Sequence, residues 1–381
     1  MHILQVHCEY QRSGGEEAVV EAEARVLQDA GHVVSRYSVS NEERFASVRF
    51  LASPWNPIAA RKLRAEILRI SPDIVHIHNT WFSLGPSSIG VPRALGVPSV
   101  LTLHNYRMEC ANALLLRDGK PCELCVGSSP LSGIRYRCFR KSYAASTVAA
   151  ATVAVHKGSS SLSKPDRIVL LTQFAKDRLA RSLPDSRVVI KPNFTTDPGP
   201  RPTPPSDSEN VLFVGRLSAE KGISDLVDSW RSVGSSLQLR IAGDGPLDAE
   251  MRARLPKSSD FLGRLDREKL QHEMFNARAL IFPSRWYEGM PMVLLEAMAS
   301  GLAIAWRDIG GITDVVGSDP SDLTFGVHGS MEMAIRRLDS DDLVDRAGEQ
   351  NRRTYEARYS PIEGLRNLEA LYGSVAGSES S

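Results

Sequence analysis

Residues 3–31 read ILQVHCEYQRSGGEEAVVEAEARVLQDAG, and this stretch decides the fold class. The run from Ile3 to Cys8 has the length of a strand and does not alternate, as expected of a strand covered on both faces of a parallel sheet. Gly14-Gly15 supply a turn. A helix follows in which Val19, Ala22 and Val26 share one face, Glu16, Glu17 and Glu21 favour its N-terminal end, and Gly31 stops it.

The same alternation continues along the chain. Val33 to Val39, Ile74 to His78, Ser99 to Leu103, Ile168 to Thr172 and Val188 to Ile190 read as further strands of a first series. Five prolines between Pro198 and Pro205 then interrupt any regular element and mark a linker or surface crossing. A second series begins beyond them. Its strand candidates are Val211 to Val214, Leu237 to Ala242, Leu280 to Pro283 and Leu302 to Trp306. Its helix candidates lie near Ile223 to Ser232, Leu247 to Leu255, Glu268 to Phe275 and Pro291 to Ser300, with a polar helical tail after Met331. The expectation is α/β: two Rossmann-like doubly wound domains facing across a cleft, with ligands beyond the carboxyl ends of the strands.

Composition narrows the class. With 381 residues, 42% hydrophobic and 24% charged, the chain is an ordinary globular protein, which excludes collagen, disorder and a disulfide-stapled miniprotein. Met1 to Tyr10 carries no apolar leader, and five cysteines fit a reducing compartment, so a cytoplasmic protein is expected. The longest uncharged stretch, Ser142 to Val155, falls short of the roughly 20 residues of a transmembrane helix. Residues 1–195 carry 25 Lys+Arg against 16 Asp+Glu, and the remainder 21 against 29. A basic front half suits an anionic partner such as a phosphorylated substrate or an acidic membrane face. Nucleic acid is disfavoured, because the cations are not interleaved with aromatics.

Two segments of the second half carry candidate chemistry. In Gly215-Arg216-Leu217-Ser218-Ala219-Glu220-Lys221-Gly222, two cations five residues apart follow a strand, an arrangement that suits a diphosphate. Ser284-Arg285-Trp286-Tyr287-Glu288-Gly289-Met290-Pro291 leads from a strand into a helix containing Glu296. Glu288 could reach a sugar and Glu296 a ribose. Neither half holds a complete G-x-G-x-x-G; Gly243-Asp244-Gly245 is a fragment followed by Pro246, so a nicotinamide or flavin enzyme is disfavoured.

Taken with Gly14-Gly15 and Thr102-Leu103-His104, these segments resemble glycosyltransferase family 4, retaining enzymes of the GT-B fold. The resemblance spans both halves in order. It implies an N-terminal acceptor-side domain over 1–195 with an insertion at 106–141, a donor domain over 196–358, and a helix crossing back to the first domain, with a flexible tail, over 359–381. Arg216 and Lys221 would hold the donor phosphates, Glu288 the transferred sugar and Glu296 the ribose. Gly14 and Gly15 would admit phosphate to backbone amides, and Gly243, Gly289, Met290, Pro291 and Met292 would complete the donor site. His104 would lie beside the sugar. The catalytic set is then Glu288, His104, Arg216 and Lys221.

The family's reaction is described as departure of the diphosphate with same-face attack by the acceptor, without an enzyme nucleophile. An epimerase or phosphorylase on the same fold, or a non-enzymic sugar-nucleotide-binding subunit, are the competing expectations. No catalytic metal is implied; the one Asp-x-Asp, Asp339-Ser340-Asp341, reads as a helix cap. The expected partners are a nucleotide-diphosphate sugar and a glycan, lipid-linked or small-molecule acceptor, in polysaccharide or glycoconjugate synthesis.

His76 and His78 alternate with apolar residues in a strand and read as core, although His78 ends that strand; His7 closes the first strand near the glycine turn. Cys110, Cys122, Cys125 and Cys138 form a C-x11-C-x2-C-x12-C array, for which structural zinc and buried free thiols are the two readings. Arg135, Arg137, Arg140 and Lys141 adjoin the Ala-rich segment Ala144 to Val155. They read either as a solvated turn beside a core helix or as a peripheral dock for the anionic inner membrane face.

Overall fold

The computed structural model describes residues 1–10, 14–41, 46–256, 259–317, 323–327 and 329–376; the expected tail beyond 376 lies outside them. The chain forms two compact units. The first comprises Met1–Arg117, Cys122–Asn193 and Ile362–Ser381, the second Asp118–Pro121 and Phe194–Pro361.

The first unit is built on six parallel strands, β1 (His2–Glu9), β2 (Val33–Ser40), β3 (Ile74–Asn79), β4 (Ser99–Leu103), β5 (Arg167–Leu170) and β6 (Val188–Ile190), in the order β2-β1-β3-β4-β5-β6. The central strands are buried on both faces: β3 and β4 are buried at every residue, the polar His76, His78 and Asn79 of β3 included. β2 and β6 lie at the edges. Their partial exposure is why Val33 to Val39 alternates in burial although its sequence scarcely does.

The first helix, Gly15–Asp29, is out of phase with its sequence pattern. It buries Val19, Val20, Glu23, Ala24 and Leu27, leaving Ala22 and Val26 at the margin. The displacement has a physical cause, since Glu23 points inward and finds a cation there. Ser142 caps the Ala-rich helix Tyr143–Gly158, its hydroxyl accepting from the Ala145 N–H, and Ala149, Ala150 and Val153 are buried, so this helix belongs to the core. The last helix, Pro361–Ala376, belongs to the first unit through Leu368, Leu371, Tyr372 and Val375.

The second unit repeats the plan with β7 (Asn210–Val214), β8 (Gln238–Ala242), β9 (Asp260–Gly263), β10 (Ala279–Phe282), β11 (Ala303–Arg307) and β12 (Thr324–Phe325). Their order, β9-β8-β7-β10-β11-β12, is the dinucleotide-fold arrangement. Trp230, Phe213, Leu239, Ile281 and Ile335 are among its core residues. Asp339-Ser340-Asp341 does stand at a helix start, but Asp341 is engaged by the Arg278 guanidinium instead of closing the helix end. Among the described residues no helix is long and apolar enough to cross a membrane.

In each sheet the chain reverses direction of growth once, between β1 and β3 in the first and between β7 and β10 in the second. Loops leaving those strand pairs diverge and open a crevice. In the second unit the crevice walls are locked by glycine. A Cβ on Gly243 (φ +142°) would sit 1.9 Å from the Gly215 carbonyl oxygen, and one on Gly222 (φ +73°) 2.0 Å from that of Pro283. Gly243→Ala is therefore expected to weaken the second unit by about 2–3 kcal/mol. The urea transition of that unit, followed by Trp230 fluorescence, should move to lower denaturant; an unchanged midpoint would mean the loop relaxes freely.

Candidate active site

The crevice between β7 and β10 gathers the charged residues of the second unit. The loop after β7 ends in a short turn over Ala219–Lys221, and the Arg285 N–H donates to the Glu220 carbonyl at 2.8 Å, tying this loop to the one after β10. Lys221 Nζ consequently lies 2.7 Å from Glu288 Oε1, and the same oxygen accepts from Ser284 Oγ at 2.7 Å. Glu288 is 5% exposed, so this charge-assisted pair is held in a shielded setting where its geometry is fixed. The Lys221 ammonium also lies 5.4 Å from the Trp286 ring centre.

Lys221 and Glu288 are thus in contact with each other, whereas the motif reading had directed them at different parts of one ligand. Arg216 is exposed on the same loop. Gly289 is half-buried and Met290 buried, and Pro291 precedes the helix Met292–Ala299. Glu296, in the second turn of that helix, has its carboxyl raised by burial, with Arg267 opposing the rise. Gly243 serves the close backbone approach described above.

In the first unit, His78, Asn79, His104 and Asn105 follow from β3 and β4 into one pocket, together with Trp81 and Arg107. His104 Nε2 lies 3.3 Å from His78 Nδ1, and burial depresses its ring to about 4, so the imidazole is neutral near pH 7 and acts as a hydrogen-bonding group. Asn105 Nδ2 donates to Glu16 Oε1 at 2.8 Å, which brings the helix start after Gly14-Gly15 to this pocket. Burial raises the Glu16 carboxyl to about 6 despite that bond. Its neighbour behaves oppositely: burial would raise Glu17, but the His7 ring and the Tyr10 and Gly14 N–H groups hold it at about 2. Gly14 is extended, and a Cβ there would meet only the Glu17 carboxylate at 3.7 Å, so its backbone does not demand glycine.

Arg107 was not legible as a site residue. Its guanidinium lies 4.2 Å from the Trp81 ring centre, and its Nε and Nη1 are buried without a hydrogen-bond partner. It stands three residues after His104, and that proximity is the only signal the sequence offers. Ser284 was likewise passed over, although it lies inside the Glu288 segment.

Behind the pocket is a buried charged cluster. Glu23 Oε1 accepts from Lys191 Nζ at 2.7 Å, and Glu23 Oε2 lies 3.6 Å from both His76 Nδ1 and His78 Nε2. Among the described residues Glu23, His76 and His78 are the one set of three metal-capable atoms within 4.8 Å of one another. The Lys191 ammonium already occupies the position of a cation at this carboxylate. It overrides burial to hold Glu23 below its ordinary value, and burial keeps both histidines well below theirs. His76 is structural, bonded to Thr102 Oγ1 at 2.8 Å and to Tyr372 Oη at 2.9 Å. Cys110, Cys122, Cys125 and Cys138, none of them in a disulfide, line a separate cavity of the first unit.

A family model described as Glycosyltransferase Family 4 matches residues 13–196, and one described as Glycosyl transferases group 1 matches residues 200–357. The chain is 26% identical over 267 residues to a Bacillus subtilis protein assigned to glycosyl transfer in teichuronic acid biosynthesis, covering 70% of this chain and 61% of that one. It is 28% identical over 321 residues to the 2-deoxystreptamine N-acetyl-D-glucosaminyltransferase of Streptomyces fradiae, covering 77% and 67% respectively. Among solved structures, sucrose-phosphate synthase from Thermosynechococcus elongatus superposes with a TM-score of 0.74 at 16% identity, over 99% of this chain and 100% of that one. Anabaena HepE in complex with UDP and glucose gives 0.68 at 14%, over 98% and 100%.

The raised Glu16 carboxyl has a measurable consequence. The folded chain binds this proton more tightly than the unfolded chain, so the stability it contributes is present below about pH 4.5 and is lost as the pH rises through about 6. The loss amounts to about 1–2 kcal/mol. Chemical denaturation of wild type and Glu16→Gln between pH 4 and 7 should give curves that diverge across that window, the variant gaining relative stability as pH rises. Parallel curves would place the Glu16 carboxyl at its ordinary value.

Proposed function

Because the chain belongs to the family-4 glycosyltransferases of the GT-B fold, we propose that it transfers a sugar, with retention, from a nucleotide-diphosphate donor held by the second unit. The observation that carries this reading is the Lys221–Glu288 pair at the reversal point of the second sheet, braced by Ser284. A nucleotide diphosphate leaving group concentrates negative charge. Lys221, whose ammonium retains further donors, and exposed Arg216 are assigned to that charge, and they stabilise it most as the sugar–oxygen bond breaks. Glu288, oriented by Lys221 and Ser284, is assigned to the transferred sugar, and Glu296 to the ribose. Gly289, Met290, Pro291 and Met292 shape the backbone around the same group. The anomeric carbon loses its bond to the phosphate oxygen and gains one to the acceptor oxygen on the same face, while the acceptor proton passes to the departing diphosphate. No divalent ion is assigned to this step. HepE, of the same fold, is described in complex with UDP and with UDP-glucose, which supports the donor class.

The acceptor is assigned to the pocket of the first unit. Neutral His104 and Asn105 offer hydrogen bonds to hydroxyls, and Arg107, with unmatched N–H groups beside an aromatic ring, suits an acceptor that carries a phosphate or carboxylate. The surplus of cations in residues 1–195 supports the same choice. Glycan assembly at the cell envelope, or glycosylation of a small molecule, fits the two curated relatives.

The test is a panel of UDP, GDP, ADP and dTDP sugars, scored for nucleotide release with and without acceptor extracts. One nucleotide class should be turned over, and Glu288→Ala should abolish the turnover. Lys221→Ala should lower kcat/KM by roughly 10- to 150-fold, the worth of a charge-assisted hydrogen bond of about 1.5–3 kcal/mol, while its melting curve shows a folded protein. Wild-type turnover in both variants would remove the assignment, and isomerised donor without acceptor would replace it with an epimerase.

A further inference from the structure

The segment 106–141 is poor in regular structure. Its one helix is Leu131–Arg135, and the rest consists of turns and two-residue strands. It is also where the backbone is under most tension. Of the eight non-glycine residues with positive φ among those described, six fall here: Ala113, Leu115, Asp118, Arg137, Arg140 and Lys141. Each such residue costs of order 1 kcal/mol and persists only where its surroundings over-determine it. A segment whose regular structure is one five-residue helix and a pair of two-residue strands needs some other anchor.

Four cysteines supply the material for one. Cys110, Cys122, Cys125 and Cys138 come from three separate turns and line a single small cavity, in which the remaining lining is largely apolar and contains no carboxylate and no imidazole. None of the four is in a disulfide. Of their thiols, that of Cys110 donates to Asn112 Oδ1 at 2.9 Å. The backbone around them is pinned: Cys122 N–H donates to the Leu115 carbonyl at 2.7 Å, Cys138 N–H to that of Gly133 at 3.0 Å, and Lys157 Nζ to that of Cys125 at 2.8 Å.

We propose that these four cysteines bind one structural zinc ion. An all-sulfur donor set selects a soft or borderline metal over magnesium or calcium, and four ligands leave no open position for catalysis. Binding displaces the four thiol protons and leaves a tetrathiolate centre with a net charge of −2, since the ion carries two positive charges against four thiolates. The surroundings are suited to that charge. Arg117 lines the cavity, its guanidinium 4.0 Å from the Tyr136 ring centre, with Arg135 5.5 Å from the same ring. The basic cluster that could be read as a membrane dock thus has a local counter-charge. No three of the four sulfurs lie within 4.8 Å of one another, so binding requires the side chains to turn inward to the roughly 3.8 Å spacing of tetrahedral sulfur at about 2.3 Å from zinc.

The test uses the full chain purified without chelator. Inductively coupled plasma mass spectrometry should find about one zinc per chain, falling below about a tenth in Cys122→Ser and Cys125→Ser and staying near one in Cys8→Ser, whose thiol is buried in β1. Should the serine variants fail to fold, the wild-type chain decides alone. Chelator-treated protein, titrated anaerobically with Co²⁺, should develop thiolate-to-cobalt charge-transfer absorption at one equivalent. Zinc below a tenth of an equivalent with no cobalt band, or an intact mass lighter by the hydrogens of one or two disulfides, overturns the proposal.

Discussion

The first unit is organised around an ion pair that water does not reach. Glu23 is fully buried and Lys191 only 2% exposed, with 2.7 Å between their charged atoms. Two ions taken out of water cost several kcal/mol each, so the pair survives because each partner answers the other and the histidines around it stay neutral. It dictates the phase of the first helix, which must turn Glu23 inward. It also reaches the last helix, since His76 beside Glu23 bonds Tyr372. A chain end is thereby fastened to the centre of a sheet begun more than three hundred residues earlier. The pocket in front of it shares this setting: burial keeps His78 and His104 uncharged, with Lys191 adding to the effect at His104, and both rings serve as hydrogen-bonding surfaces.

The second unit solves the corresponding problem by omission of side chains. Gly243 and Gly245 let the loop after β8 close onto the backbone of Gly215 and Leu217 in the loop after β7, and Gly222 does the same against Pro283. Only then can Lys221 extend to Glu288. The pair is a product of topology, because β7 and β10 are sequence-distant neighbours on either side of the reversal point. Its charges are matched within the unit itself, and the Lys221 ammonium is held in one position by Glu288.

Much of this was legible in the sequence, and the misses have physical causes. Central strands such as Ile74–Asn79 and Ala303–Arg307 announce themselves as short, mostly non-alternating runs of buried residues, although the first also buries His76, His78 and Asn79. Asp260–Gly263 did not, being a four-residue edge strand of which no residue is fully buried. The helix phase failed at Glu23, since periodicity assumes that charge points outward. Residue types at the donor crevice were legible, but the contact between Lys221 and Glu288 was not, as 67 positions separate them and only the sheet order brings them together. Arg107 shows the same limit: nothing local distinguishes an arginine with unmatched N–H groups from one in solvent.

The charge asymmetry between the halves acquires a definite meaning once the pairs are drawn. Many cations of the first unit are locally matched: Lys191 by Glu23, Lys157 by Glu109 at 2.7 Å, Arg36 by Glu21 at 2.8 Å and Lys176 by Asp185 at 3.1 Å. The exposed pairs among these contribute little to stability, and since each sets one cation against one acid they leave the surplus of 25 Lys+Arg over 16 Asp+Glu unchanged. One cation within that surplus has a defined place: Arg107 lines the pocket beside His104, with its Nε and Nη1 buried and without a hydrogen-bond partner. A diffuse basic surface would draw any polyanion. A guanidinium with buried, unmatched N–H groups instead favours an anion at one place, and this distinction follows from how Arg107 is packed rather than from the number of charges.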